Sequence, residues 1–142
     1  MSVDSNRELA IRYVKEVIGE GNLALIDDLV HPEGQDLSGP WPAGRAGFRE
    51  HIAGFRSAFE PEVTIERVIA DEEYAAVYWQ AKGRHVGAAF GIEPTGRSVE
   101  NWFISTLRFR AGLIVAYEVM VDMLTFLVQV GTLGPWGSEF PR

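Results

Sequence analysis

The apolar positions of this chain change period partway along, from a helical spacing to a strand spacing. Leu9, Ala10, Tyr13, Val14, Val17 and Ile18 recur every three or four residues and form one stripe. Ser5-Asn6-Arg7-Glu8 has the S-x-x-E form of a capping box and predicts a helix starting at Ser5; Gly19 and Gly21-Asn22 end it. A short second helix is expected over Leu23 to Val30, stopping before Pro32. The text from Pro32 to Gly44, PEGQDLSGPWPAG, is dense in Pro and Gly and reads as a loop. A third helix, from about Ala46 to Phe59, carries Phe48, Ile52, Phe55 and Phe59 on one stripe and closes at Pro61.

Beyond Pro61 the period falls to two. Val63 to Ala70 and Tyr74 to Lys82 predict two strands around a turn at Asp71 to Glu73. A glycine-studded connection, GRHVGAAFGIEPTGRS, leads to a long alternating strand over Val99 to Arg110, and Ala111-Gly112 is a tight hairpin turn. The next stretch, Gly112 to Gly131, is an apolar run containing two carboxylates. Alternation puts Ile114, Ala116, Glu118, Met120 and Asp122 on one face, and Val115, Tyr117, Val119 and Val121 on the other. Both faces read as buried, so an acid there is satisfied, neutralised or kept for chemistry. Thr132 to Arg142 is a Gly- and Pro-rich tail in which Trp136 is a possible anchor.

Three helices followed by long antiparallel strands define the α+β class, with the helices gathered on one face of the sheet. A strongly bent sheet wrapped on helices leaves a cavity at its open end. The second apolar face, Val115, Val119 and Val121, is then expected to be covered by another protomer, which predicts a homo-oligomer.

Composition narrows the function classes. The 142 residues suit a single domain, 1–142, and 46% hydrophobic with 23% charged residues is a soluble composition without a membrane-length apolar run. The polar start, MSVDSNRE, is no signal peptide, so a cytoplasmic protein is expected. Zero cysteines remove disulfides, thiolate nucleophiles and sulfur-held metals, and a charge of −7 argues against nucleic acid. His31, His51 and His85 make no H-x-x-x-H metal pair, and phosphate-loop, dinucleotide and G-x-S-x-G motifs are missing.

Four segments together resemble the SnoaL-like polyketide cyclase family of the nuclear transport factor 2-like superfamily. They are Glu20-Gly21-Asn22 with Leu25-Ile26-Asp27, the segment Gly83-Arg84-His85-Val86-Gly87 with Gly91-Ile92-Glu93-Pro94-Thr95-Gly96, the hairpin from Phe109 to Ile114, and Asp122 with Gln129 and Gly131. The resemblance implies a cone-shaped α+β fold, a curved antiparallel sheet wrapped around N-terminal helices. It also implies a cofactor-independent, metal-free enzyme that closes a ring by intramolecular aldol condensation, with Asp122 as acid and base. One carboxylate suits that chemistry: a carbon between two carbonyls is acidic, and the enolate is delocalised over the substrate itself. Tyr117-Glu118 stand where the family often has His-Trp. Glu118 lies roughly 13 Å from Asp122 at about 3.3 Å per residue, too far to share a proton. It is a candidate to orient a polar group or a water, or a rim charge paired with an arginine such as Arg108.

Each candidate has a plainer alternative. Asp122 is either the catalyst or a carboxylate capping the turn that follows it. His85 is a pocket residue or a hydrogen-bonded loop histidine, and His51, one turn from Phe48 and Phe55, faces the cone or sits at the core edge. Trp79, Trp102, Met120 and Tyr13 line a cavity for a flat apolar or aromatic ligand, or are core. Trp41 plugs the core or covers a ligand. Rival functions on the same scaffold are a cofactor-free hydroxylase, an epoxide-hydrolase-like enzyme and a non-catalytic small-molecule binder.

Overall fold

A computed structural model describes residues 2–134. Helix α1 (Val3–Arg12) starts earlier than the capping box suggests, because Ser2 is the N-cap: its Oγ accepts the Ser5 N–H at 3.0 Å. The helix runs on as a π-helical segment, Tyr13–Gly19, which buries Tyr13, Val14, Val17 and Ile18. The Arg56 guanidinium closes its end by donating to the carbonyls of Ile18 and Gly19 at 2.7 and 2.8 Å. A 3-10 turn (Leu23–Leu25) and α2 (Ile26–Leu29) follow where one short helix was expected. The long helix α3 (Arg45–Phe59) buries Phe48, Ile52 and Phe59, and Glu60, in the left-handed region, ends it before Pro61.

Five strands form one sheet in the order β1-β5-β4-β3-β2. Strands β2 (Glu62–Ala70), β3 (Tyr74–Arg84), β4 (Ser98–Arg110) and β5 (Leu113–Val121) are antiparallel neighbours, as their alternation predicts. Ala111 and Gly112, both at positive φ (54° and 77°), make the tight β4–β5 turn. A fifth strand, β1 (Val30–Asp36), runs from the expected end of the second helix into the stretch read as a loop and pairs parallel with β5, so the sheet is mixed rather than wholly antiparallel. Pro32 and Gly34 hid it. A sheet edge tolerates both residues, and its register slips between Val30 and Gln35 before Asp36 aligns with Tyr117. The last helix, α4 (Met123–Gln129), follows β5. Trp136 lies outside the described residues.

The faces of β5 correct the sequence reading. Phe109 pairs with Ile114 and Arg108 with Ala116, so Val115 is an extra residue with no partner on β4. Such a bulge flips every later side chain to the opposite face. Tyr117, Val119 and Val121 therefore face the concave, helix-covered side, while Glu118 and Met120 point outward, Met120 with 68% of its surface exposed. Val119 and Val121 are thus not on an outer face awaiting another protomer. The apolar residues on the convex side are Ile69, Tyr78, Trp102, Ile104 and Met120, with Tyr78 and Trp102 stacked at 4.7 Å.

The core between helices and sheet joins Tyr13, Val14, Phe48 and Ile52 to Val77, Trp79, Leu107, Ile114 and Tyr117. Burial raises the hydroxyl pKa of Tyr13 well above its ordinary 10.0, and that of Tyr117 upward in the same direction. The unfolded chain ionises both near that ordinary value, whereas the folded chain keeps both protons, so stability is full below about pH 10 and falls as the pH rises past it. We expect cooperative alkaline unfolding in which tyrosinate absorbance and loss of circular dichroism coincide; replacing Tyr13 with Phe should move the midpoint upward, and an unmoved midpoint would contradict this coupling.

Candidate active site

The concave side of the sheet and α3 enclose a cavity of about 340 Å³. On α3, His51, Phe55 and Phe59 are four residues apart and line it along the helix, while Trp79, Ala81, Val99, Asn101, Phe103, Tyr117, Val119 and Val121 supply the sheet wall. Ser38 to Trp41 close one side; Phe90 and Phe126 border it as well. Trp79 and Phe103 stack at 4.2 Å, with Phe55 edge-on to both, so much of the wall is flat and aromatic. Among the described residues no Asp or Glu lines this cavity.

A carboxylate–imidazole pair that neither periodicity nor motif revealed borders it instead. Asp36 ends β1 with none of its surface exposed, and its Oδ2 lies 2.7 Å from His51 Nδ1. The other oxygen, Oδ1, accepts the Ser38 backbone N–H at 2.9 Å. A buried carboxylate held this way makes Nδ1 the protonated ring nitrogen and leaves the Nε2 lone pair for a bound molecule. Trp41 lies flat on the His51 ring, centroids 4.9 Å apart and planes 14° from parallel. Gly47 makes that stacking possible. A Cβ there would collide with the Pro42 carbonyl oxygen, so only glycine lets the Trp41-Pro42 segment sit on the first turn of α3, one turn before His51.

A second polar cluster adjoins the first. The Trp79 indole N–H donates to Ser105 Oγ at 2.8 Å, and Ser105 Oγ is 2.8 Å from the Tyr117 hydroxyl. The His51 and Tyr117 rings are 6.4 Å apart. Tyr13 packs its ring on Tyr117 at 4.9 Å, behind the cavity wall.

Of the residues singled out in the sequence, Trp41, His51 and Trp79 line the cavity and Asp122, Glu118, His85, Trp102, Met120 and Tyr13 do not. Asp122 is the N-cap of α4: its carboxylate accepts from the Thr125 hydroxyl at 2.6 Å and the Thr125 N–H at 3.1 Å. Those bonds, the hydroxyl's first, hold its pKa below the ordinary 3.8. Glu118 and Arg108 are both on the outer face, but Arg108 pairs with Glu73. His85 is buried between Phe59 and Phe126, and its Nδ1 accepts from Thr95, which fastens the glycine-rich connection. Among the described residues no group of three or more His, Cys, Asp or Glu is placed to hold a metal, and no helix is long and apolar enough to cross a membrane.

Comparison with known proteins bears on this site. Residues 8–130 match the model of the SnoaL-like polyketide cyclases. The aklanonic acid methyl ester cyclase AcmA of Streptomyces galilaeus is 28% identical over 93% of this chain and 94% of its own length. The nogalonic acid methyl ester cyclase of Streptomyces nogalater is 26% identical over 80% of this chain and 87% of its own. TsrD from Streptomyces laurentii has the same fold, with a TM-score of 0.83 at 22% identity over 94% of this chain and 99% of that one.

The cap at Asp122 gives a direct expectation. Asp122→Ala should lower stability by about 1 kcal/mol near neutral pH. That contribution is complete above the ordinary carboxylate value of 3.8 and is lost as the pH falls through the lowered folded value. Urea titrations of both proteins at neutral and strongly acidic pH measure it; a difference that persists in acid would contradict the cap.

Proposed function

Because the chain belongs to the SnoaL-like polyketide cyclase family, we propose that it is a cofactor-independent cyclase that closes a ring by intramolecular aldol condensation, with His51 as general base and acid. The observation that carries this reading is the Asp36–His51 pair, at 2.7 Å, bordering a cavity that no carboxylate lines among the described residues. His51 Nε2 takes a proton from a substrate carbon flanked by two carbonyls. Asp36 offsets the charge of the resulting imidazolium and keeps the ring from turning. The enolate carbon attacks a second carbonyl of the same molecule, one C–C bond forms, and the new alkoxide takes the proton back from Nε2. Nothing is oxidised or reduced.

The aromatic wall supports a flat, apolar substrate, and the names of the two curated relatives support a polyketide methyl ester as its class. The role that the family resemblance gave to Asp122 passes to His51, because the Asp122 carboxylate is occupied in capping α4. We expect His51→Gln to lower kcat for ring closure of aklanonic acid methyl ester by about 10²- to 10⁴-fold, Asp36→Asn to lower it on the order of 10²-fold, and Asp122→Ala to leave it near wild type. Wild-type turnover in His51→Gln, or inactivity of a folded Asp122→Ala, would overturn the assignment.

A partner of the same chain is also part of the proposal, now on the convex face. Ile69, Tyr78, Trp102, Ile104 and Met120 are exposed there, and the rim carries both signs of charge, Arg67, Lys82 and Arg108 with Glu100 and Glu118. A patch of mixed sign can complement a two-fold copy of itself. Light scattering should report a dimer for wild type and a monomer for the double variant Trp102→Glu, Met120→Glu; a monomeric wild type at micromolar concentration would refute it.

A further inference from the structure

The base accounts for one half of an aldol step; the other half is the oxygen on which negative charge collects. We infer that the Tyr117 hydroxyl is the donor that holds this oxygen, supplied through a chain of donors that runs from Trp79 through Ser105. The inference rests on the proposed cyclase reaction and adds to it a residue that the Asp36–His51 pair does not involve.

The direction of the chain follows from counting donors and acceptors. An indole N–H only donates, so Trp79 Nε1 fixes the first link by giving its hydrogen to Ser105 Oγ at 2.8 Å. Ser105 then has one hydrogen of its own and one neighbour to give it to, the Tyr117 hydroxyl at 2.8 Å. If Tyr117 donated instead, the Ser105 hydrogen would be left without an acceptor in a residue with no exposed surface. With Ser105 donating, the hydrogen left over belongs to Tyr117, which lines the cavity and can be matched by a ligand oxygen. Burial acts in the same sense, raising the Tyr117 pKa so that the phenol stays protonated and acts as a donor.

Position agrees with this direction. Tyr117 is next to His51, ring centroids 6.4 Å apart, and a carbon acid and the oxygen of its own carbonyl are separated by only two bonds. Asp36 aligns with Tyr117 across the β1–β5 ladder, so the carboxylate that holds the base and the donor are set by one register. Tyr13 and Phe48 pack on the Tyr117 ring at 4.9 and 6.3 Å and fix its plane. A donor already aimed and desolvated needs no reorganisation when the enolate forms.

Two measurements test it. The first is exchange of the acidic C–H of ethyl 2-naphthoylacetate into deuterated water, followed by nuclear magnetic resonance. Tyr117→Phe should lower kcat by about 10²-fold with KM nearly unchanged, and Ser105→Ala by less. The second is the visible titration of bound 4-nitro-1-naphthol, whose anion mimics the enolate; in Tyr117→Phe the bound phenol should ionise at a higher pH than in wild type. Wild-type exchange and an unmoved titration in Tyr117→Phe, beside an inactive His51→Gln, would overturn the donor and leave the base standing. Full exchange in His51→Gln would overturn the base, and the naphthol titration would still decide Tyr117. Should Tyr117→Phe fail to fold, Ser105→Ala carries the same titration: a higher ionisation pH supports the chain and an unchanged one refutes it.

Discussion

One extra residue, Val115, governs what the cavity contains. Had β5 run without its bulge, Glu118, Met120 and Asp122 would project toward the helices and the tyrosine would face outward. With the bulge, the strand turns Tyr117, Val119 and Val121 inward, and its acids are left to the convex face and to the cap of α4. Among the described residues no carboxylate lines the cavity wall; the Asp36 carboxylate at its border is on loan from the neighbouring edge strand, held against His51 of α3.

That loan is stable because each charged or polar group in it is answered. Asp36 carries the cost of full burial, offset by the Ser38 N–H and the His51 ring, so removing either partner leaves one buried carboxylate oxygen without its hydrogen bond. The loop between β1 and α3 is fastened at both ends, by Ser38 Oγ accepting the Val119 N–H at 3.0 Å and by Trp41-Pro42 packed against Gly47. Orientation of the imidazole is therefore a product of packing as much as of the hydrogen bond.

Much of this architecture was legible in the residues because it rests on local signals. The stripe of α3, the alternation of β4 and the Ala111-Gly112 turn each depend on neighbours a few positions away, and all three are found as expected. β1 was not legible, since Pro32 and Gly34 break every strand pattern except at an edge. The bulge was not either: a single added residue leaves the apolar content of β5 unchanged while exchanging its faces. At the site, His51, Trp79 and Trp41 could be named from their surroundings in the chain, whereas Asp36 looked like one more polar loop residue. Its partner is 15 positions away, and only the fold brings the two together.

Helix α3 also sets a length. His51 and Phe59 mark eight residues of one helical face, about 12 Å at roughly 1.5 Å per residue, with the imidazole ring at one limit and the aromatic cluster of Phe59, Phe90 and Phe126 toward the other. The helix thus works as a measuring rod read from one end. In the proposed reaction, a molecule anchored by its inert rings at Phe59 would present to His51 whatever functional group it carries one rod-length away, and regiochemistry would be a matter of distance along a rigid backbone.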